Sequence, residues 1–350
     1  MTLAELGSRY DNFYAPRFVL RLGGEVYEQT HGIISGVSVD SAAEKADRFS
    51  FTIEGVYDES EGEFTGLEWS RFETDAEVEI EMGYGETTET LLVGQIEEHR
   101  LNFPAQGAPS VDVSGYGLMH EMRDGTKSRS WDDATHSEVA EEIANEYRFD
   151  TIDVEPTDGQ DAKVVQNDQS DLEFLEELAG KNGTDGRRYQ VTVRRDEFRF
   201  GPAPSDEEST VTLAYGDALQ SFSPEYRTGS QVGSVEVRGY NVDDAQGVKG
   251  SAESRGPGSG TERLHRPVGS QAEAETVAQA RLGEIRDDRL SGRGESIGLP
   301  EIKAGKAVTL ERLGERFSKK YYVESATHRV GSEGYTTSFQ VRLADGEEIE

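Results

Sequence analysis

The sequence predicts an α+β protein, mainly β, running as a β-rich segment, a mixed segment and a second β-rich segment with one long helix. Three observations predict it. Apolar and polar residues alternate with a period near two in the first and last thirds, while the middle third switches to helical spacing behind two capping boxes. The 350 residues, with 14 Phe, 14 Tyr and 2 Trp along the whole length, suffice for two or three folded cores.

In the first third, Tyr14–Leu22 alternates up to Gly23-Gly24, a turn signal, and Val26-Tyr27 resumes beyond it as in a hairpin. Strands are predicted next at Ile33–Val39, Phe49–Ile53, Ala76–Met82 and Leu91–Ile96, and short strands at this spacing suit a barrel or a sandwich. Glu77, Glu79 and Glu81 form the wet face of one strand, read as a solvated edge that discourages strand-to-strand association. In the middle third, Thr135-His-Ser-Glu138 opens a helix with Val139, Ala140, Ile143, Ala144 and Tyr147 on one face. Ser170-Asp-Leu-Glu173 opens a second, with Leu172, Leu175, Leu178 and Ala179 on one side and a stop at Asn182-Gly183. Ala162–Gln166 between them is extended, and Tyr189–Val193 with Glu197–Phe200 reads as a hairpin. The last third returns to strands at Val211–Tyr215 and Ser234–Tyr240. A Gly-, Ser- and Glu-rich stretch, Asp243–Gly260, is expected to be a mobile loop. From Gln271 to Leu290, Ala274, Val277, Ala278, Leu282 and Ile285 mark the apolar face of a long helix, and strands follow at Ala307–Leu310, Tyr321–His328 and Thr336–Leu343.

Charge excludes one class of partner. The chain carries 69 acidic against 36 basic residues, a net charge of -33, and the basic ones are 27 Arg and only 9 Lys. Such a surface repels itself in dilute buffer and is screened near molar salt, the balance of a protein built for a salt-rich cytoplasm. It argues against binding a phosphate backbone, so no nucleic acid is expected as a partner. No run approaches the roughly 18 apolar residues of a membrane span, so no direct membrane insertion is expected, and the first residues show no secretory signal. With 0 Cys there is no thiolate nucleophile, disulfide or zinc-cysteine site.

Motifs for chemistry are weak. The six histidines, His31, His99, His120, His136, His265 and His328, show no metal-ligand spacing. Gly294-Glu-Ser296-Ile-Gly298 fits a nucleophile-elbow string, but a helix is predicted before it and Leu299-Pro300 follows, the reverse of the strand-to-helix turn that the chemistry needs. No phosphate-cradling glycine loop opens a helix, and sequence spacing cannot select a hydrolytic carboxylate pair from 69 acids. The sequence therefore yields no catalytic, cofactor-binding or metal-binding residue, no cofactor, and the expectation that the chain is not an enzyme.

Several strings in order resemble one family. Tyr14-Ala-Pro-Arg-Phe18, Phe49-Ser-Phe51 with Phe72, Gly83-Tyr84-Gly85, Leu92–Ile96 and Val113-Ser-Gly-Tyr116-Gly are similar to the first domain of phage late control gene D proteins, the tail hub family. Val165–Ala179 resembles that family's helix entry, and Leu299–Gly305, Tyr322-Val323, His328 and Gly334–Phe339 its closing barrel. The resemblance implies two β-barrel-like hub domains, at 1–112 and 211–350, flanking or enclosing a small α+β domain at 113–210. It implies a structural baseplate hub of a contractile injection system or phage-like tail. Such a hub is a homotrimer whose ring adapts a hexameric tail tube to a three-fold spike. Its partners would be a separate spike protein, because the sequence ends soon after the closing barrel, a tail tube or tube-initiator ring, and other baseplate proteins. It would assemble in the cytoplasm and then become part of a phage tail or extracellular contractile particle. Two other readings are a cell-envelope polysaccharide hydrolase delivered by such a particle, suggested by the many carboxylates, and a carbohydrate-binding β protein, suggested by aromatics on strands.

Overall fold

The computed structural model describes residues 1–344 except 29–31, 44, 66–68, 158–160, 185–186, 203–208, 228–231, 242–245, 255–259, 267, 269 and 288–289. After a short capped helix, α1 (Leu3–Arg9), the first third holds nine strands. They are β1 (Pro16–Leu22), β2 (Glu25–Glu28), β3 (Ile34–Ala42), β4 (Lys45–Ile53), β5 (Tyr57–Asp58), β6 (Glu63–Phe64), β7 (Glu77–Tyr84), β8 (Thr87–Asn102) and β9 (Ser110–Gly117). The turn from β1 to β2 is the expected Gly23-Gly24, whose φ angles of 55° and 84° are open to glycine at no steric cost.

The middle third contains β10 (Lys127–Ala134), α2 (His136–Ala144), β11 (Thr151–Val154), β12 (Asp161–Gln169), α3 (Asp171–Lys181), β13 (Gly183–Thr184), β14 (Arg187–Arg194) and β15 (Glu197–Pro202). Both capping boxes close as the sequence requires: the Thr135 and Ser170 side chains accept from the backbone of Glu138 and Glu173, whose carboxylates accept in return. Helix α3 ends at Lys181, but the stop is not a left-handed glycine. Asn182 is extended, its Nδ2 donates to Leu178 O at 2.7 Å, and Gly183 enters β13. Helices and strands share one core of Leu172, Phe174, Leu175, Leu178, Val191, Val193, Phe198 and Phe200.

The last third holds β16 (Ser209–Ala214), β17 (Leu219–Tyr226), β18 (Ser234–Asn241), β19 (Gln246–Glu253), β20 (Thr261–His265), α4 (Gln271–Asp287), β21 (Leu290–Ile297), β22 (Ala307–Glu311), β23 (Lys320–Gly331) and β24 (Gly334–Leu343). The stretch expected to be a mobile loop is in part a strand. β19 pairs along its whole length with β18, while 243–245 and 255–259 of that stretch lie outside the described residues. Strands β18, β19 and β20 form a small sheet covered by α4, with its own core around Val235, Val237, Ala274 and Ala278.

The two β-rich thirds share one 13-stranded sheet and one apolar core. Within that sheet the pairing order repeats. In the first third, six strands lie in the order β1-β7-β8-β9-β4-β3. In the last third, six lie in the order β16-β22-β23-β24-β21-β17, and each takes the same place in both chain order and sheet order as its counterpart. The bulge between Ile96 and Glu98 on β8 recurs between Val323 and Ser325 on β23. One difference is that β1 runs antiparallel to β7 whereas β16 runs parallel to β22. The repeats join where β3 pairs antiparallel with β23, Val37–Ala42 against Val330–Ser325. Among the described residues the pairing path is open, ending on β2 and β17.

This topology corrects the expectation for the glutamates of β7, which is an interior strand and not an edge. Arg21 of β1 pairs with Glu79 and Glu81 at 3.3 and 3.0 Å, and Thr90 of β8 donates to Glu79 at 3.1 Å.

Candidate functional site

The most chemically suggestive cluster lies where the N-terminal segment, β7, β24 and the loop 298–305 meet. The segment is tied to the second repeat from its first residue: the Met1 amino group donates to Thr210 O at 2.9 Å, and Thr212 N donates to Met1 O at 3.0 Å. Fully buried Tyr10 donates to Glu301 Oε1 at 2.8 Å, and Tyr84 donates to Gly298 O at 2.9 Å. Burial and the Glu301 carboxylate together hold the Tyr10 phenol far above its ordinary range.

Beside them His328 is 1% exposed. Its Nε2 faces Ile302 O at 2.9 Å, an acceptor only, so Nε2 carries the proton and Nδ1 accepts from Tyr335 OH at 2.9 Å or Thr337 Oγ1 at 3.1 Å. Burial pushes His328 down to about 4, with the nearby Lys303 charge adding to the effect, so the ring is neutral at pH 7. A tyrosine, a histidine and a carboxylate sit together, yet Tyr10, Tyr84 and His328 spend their polar atoms on backbone or on neighbouring side chains. Glu301 Oε1 is shared by Tyr10 and, at 3.5 Å, Arg9, while its buried Oε2 has no hydrogen-bond partner among the described residues. The arrangement is that of a clasp between the two repeats.

The other sequence candidates are dispersed. Ser296 is the penultimate residue of β21, is fully buried, and donates to Ile297 O at 2.8 Å, so the nucleophile-elbow string runs along the end of a strand into the loop 298–305, with no strand-to-helix turn. His120 stacks on Tyr116 with centroids 4.2 Å apart, His136 Nδ1 contacts Asn182 Nδ2 at 2.8 Å, and His99 lies against Trp69. His265 ends β20, and His31 lies outside the described residues. Among the described residues no three His, Asp or Glu side chains converge as a metal site would require. Nor is any helix among them long and apolar enough to cross a membrane. An open cleft of about 470 Å³ between the mixed unit and α4 is lined by Glu155, Lys181, Asn182, Tyr189, Glu273 and Thr276.

Surface features whose contact role the sequence did not signal stand in better positions to contact partners. Tyr14 is 77% exposed, and Phe103 is 61% exposed at the end of β8, packed edge-on against Tyr57 and Phe64. Apart from a bridge between Leu219 and Tyr215 at its start, strand β17 pairs among the described residues with β21 alone and leaves its outer edge open, with Glu225 on it and Arg227 just beyond its end. Beyond Gln95, β8 has left β7 and keeps only β9, so one edge of residues 97–102 has no strand partner among the described residues. Alternation reveals a strand but not which of its edges is paired, and this is why the sequence missed them.

In fold, the chain is similar to the 43 kDa tail protein of prophage MuSo2 from Shewanella oneidensis, at TM-score 0.75 and 12% identity, covering 94% of this chain and 98% of that one. It is similar to a tail protein from Neisseria meningitidis MC58 at TM-score 0.71 and 14% identity, covering 95% and 98%. A third likeness, at TM-score 0.57 and 12% identity over 95% of this chain and 78% of the other, is to the E. coli c3393 protein. That protein is described as a type VI secretion system component with structural similarity to T4 tail proteins gp27 and gp5. Comparison with curated protein sequences finds no match. The family model of the Alg8 N-terminal domain matches residues 17–332, and the chain belongs to that family.

Proposed function

We propose that this chain is a structural hub subunit of a contractile-tail or phage-like tail apparatus, as its resemblance to late control gene D proteins implies. On this reading three copies close into a ring of six similar β repeats, matching a hexameric tube on one side and a three-fold spike on the other. The observation that carries the reading is the repeated six-strand order joined by β3 and β23, because a duplicated repeat is what lets three chains present six similar faces. The fold likeness to tail proteins supports the same class. The hub domains are 1–112 and 211–350, with 113–210 between them, and the particle is assembled in the cytoplasm before joining a tail or an extracellular device.

The reading assigns the chain no bond-making step. The carboxylates buried among the described residues are Asp47, Asp171 and Glu301, on β4, α3 and the loop after β21. Each is held by a partner, Arg194, Lys127 with Arg129, and Tyr10 respectively. They lie in three different parts of the fold, so these three do not form the close acid pair that the hydrolase alternative needs.

Light scattering of the purified chain in about 2 M salt tests the proposal, the salt being chosen to screen its net charge. A mass of three times 38.6 kDa, about 116 kDa, is expected, with ring-shaped particles in electron micrographs. A monomer at every concentration up to the millimolar range refutes it.

A further inference from the structure

We propose that the open edge of β17 in one copy pairs antiparallel with the open edge of residues 97–102 of β8 in the next, Arg100 opposite Glu225 and Glu98 opposite Arg227. This rests on the ring reading above and names the surface that closes the ring. The argument is transposition of one junction within the chain onto its counterpart. Pairing order equates β8 with β23 and β17 with β3. The junction between repeats inside the chain is β23 with β3, so its equivalent is β8 with β17. Among the described residues neither edge has a strand partner over the stretches concerned, 97–102 of β8 and 223–226 of β17.

The register follows from the ladders. The shared bulge aligns Glu98 with Ser325, since each pairs next to it, with Ser114 and Gln340. Through β4 and β21, Ser38 aligns with Ser223 and Asp40 with Glu225. The internal pairs Ser325–Ala42, Thr327–Asp40 and His328–Val39 then become Glu98–Arg227, Arg100–Glu225 and Leu101–Pro224. Two oppositely charged pairs and one apolar pair result, although nothing in the alignment required complementarity. At the internal junction the counterparts already touch, Thr327 donating to Asp40 Oδ1 at 2.6 Å.

Burial supplies a second argument. His328 and Val39 are each 1% exposed at the internal junction and Val330 is fully buried. Their counterparts are uncovered: Leu101 is 42% exposed, Phe103 beside it 61%, and Pro224 lies open. Arg100, Glu98, Glu225 and Arg227 are all more than half exposed, and within the chain Arg100 pairs with Glu98 and Arg227 with Glu225, each two residues away. Pro224 has no N–H, so it offers no backbone donor to the ladder. Proline on an edge strand also discourages indiscriminate pairing, leaving recognition to the side chains.

The chain has 0 Cys, so a double variant Arg100→Cys with Glu225→Cys reports the junction cleanly. Oxidised in high salt and run on a denaturing non-reducing gel, it is expected to give a ladder ending at a covalent trimer, while either single variant stays uncrosslinked. Glu225→Arg is expected to weaken association at least tenfold and Arg100→Glu to restore it in the double variant, which decides the matter should the cysteine pair fold poorly. Trimers by light scattering without covalent products or charge rescue would overturn this edge and leave the ring standing. Covalent products that stop at a dimer would support the edge and overturn threefold closure. A chain that is monomeric at all concentrations would overturn both.

Discussion

Replacing His328 by Gln separates the clasp's burial from its hydrogen bonds through pH. In the folded chain the imidazole sits at about 4 against an ordinary 6.5, because burial disfavours the imidazolium. A depressed folded value means that the unfolded chain binds the extra proton first. The corresponding stability is fully present above pH 6.5 and is lost as pH falls from 6.5 through 4. The gap of about 2.5 pH units, at 1.36 kcal/mol each, amounts to about 3 kcal/mol. Urea unfolding of both chains in 2 M salt at pH 7, 5.5 and 4.5 measures it. Gln is expected to be less stable than wild type at pH 7, having lost part of the contact to Ile302, Tyr335 and Thr337, and the deficit should shrink by one to three kcal/mol by pH 4.5. The difference between the chains is the readout, so other carboxylates titrating in both cancel. A deficit constant across the range would refute the reasoning.

Asp47→Asn has the opposite sign. Burial raises this carboxyl to about 6 from 3.8, against the opposing pull of Arg194, so wild type loses stability as pH rises from 3.8 through 6 and the variant does not. The same urea series should show the variant gaining on wild type over that window. Gly298→Ala places a Cβ 2.0 Å from the Tyr335 ring inside the clasp, and overpacking of this kind should cost about 1–3 kcal/mol or more, read as a lower urea midpoint. With a net charge of -33, the thermal midpoint should climb as salt is raised from 0.1 to 2 M, and a midpoint indifferent to salt would remove self-repulsion as a governing term.

Local structure was legible wherever a residue's own neighbours decided it. The capping boxes at Thr135 and Ser170 placed both helices, and Phe49-Ser-Phe51 and Thr336–Leu343 declared strands by alternation. What failed was the meaning of glycine. In β19, Gly250 looked like loop flexibility, yet a Cβ there would lie 2.3 Å from the backbone of Ala274 and Glu275, so the glycine lets α4 rest directly on the sheet. In β21, Gly294 looked like part of a nucleophile string, but it lies under the ring of Phe339, as Gly292 two residues before it lies under that of Phe222.

The same chemistry hid the duplication. In the first repeat Phe51 faces Val113 and Phe49 faces Gly115; at the equivalent places of the second, Gly294 faces Phe339 and Gly292 faces Val341. The large residue at one of these pairs has crossed to the other strand, filling space while erasing similarity at each position. Strand order survives such exchanges because it depends on which edges meet. The clasp was illegible for a related reason: Tyr10 and Glu301 stand 291 residues apart, and nothing near either one names the other.

The repeats differ most in what interrupts them, and this gives the last prediction. Repeat one passes from β3 to β4 through residues 43 and 44, whereas repeat two passes from β17 to β21 through the whole unit of β18, β19, β20 and α4. Yet Tyr226 and Leu290, the two ends of that excursion, are directly paired across the ladder. Paired residues of an antiparallel ladder have Cα atoms about 4.5–5.5 Å apart, a gap that a short turn closes. The unit also keeps its own apolar cluster, so removing it takes no residue from the shared core. Excising 228–289 in favour of an Asn-Gly turn should therefore leave a folded chain with the sheet intact. On the proposed ring that chain should still close on itself, its outer surface now closer to sixfold. Circular dichroism and light scattering in high salt check both halves. A truncated chain that folds but no longer associates would place the assembly determinant in the inserted unit and count against the strand edges, and one that fails to fold would refute the independence of the two cores.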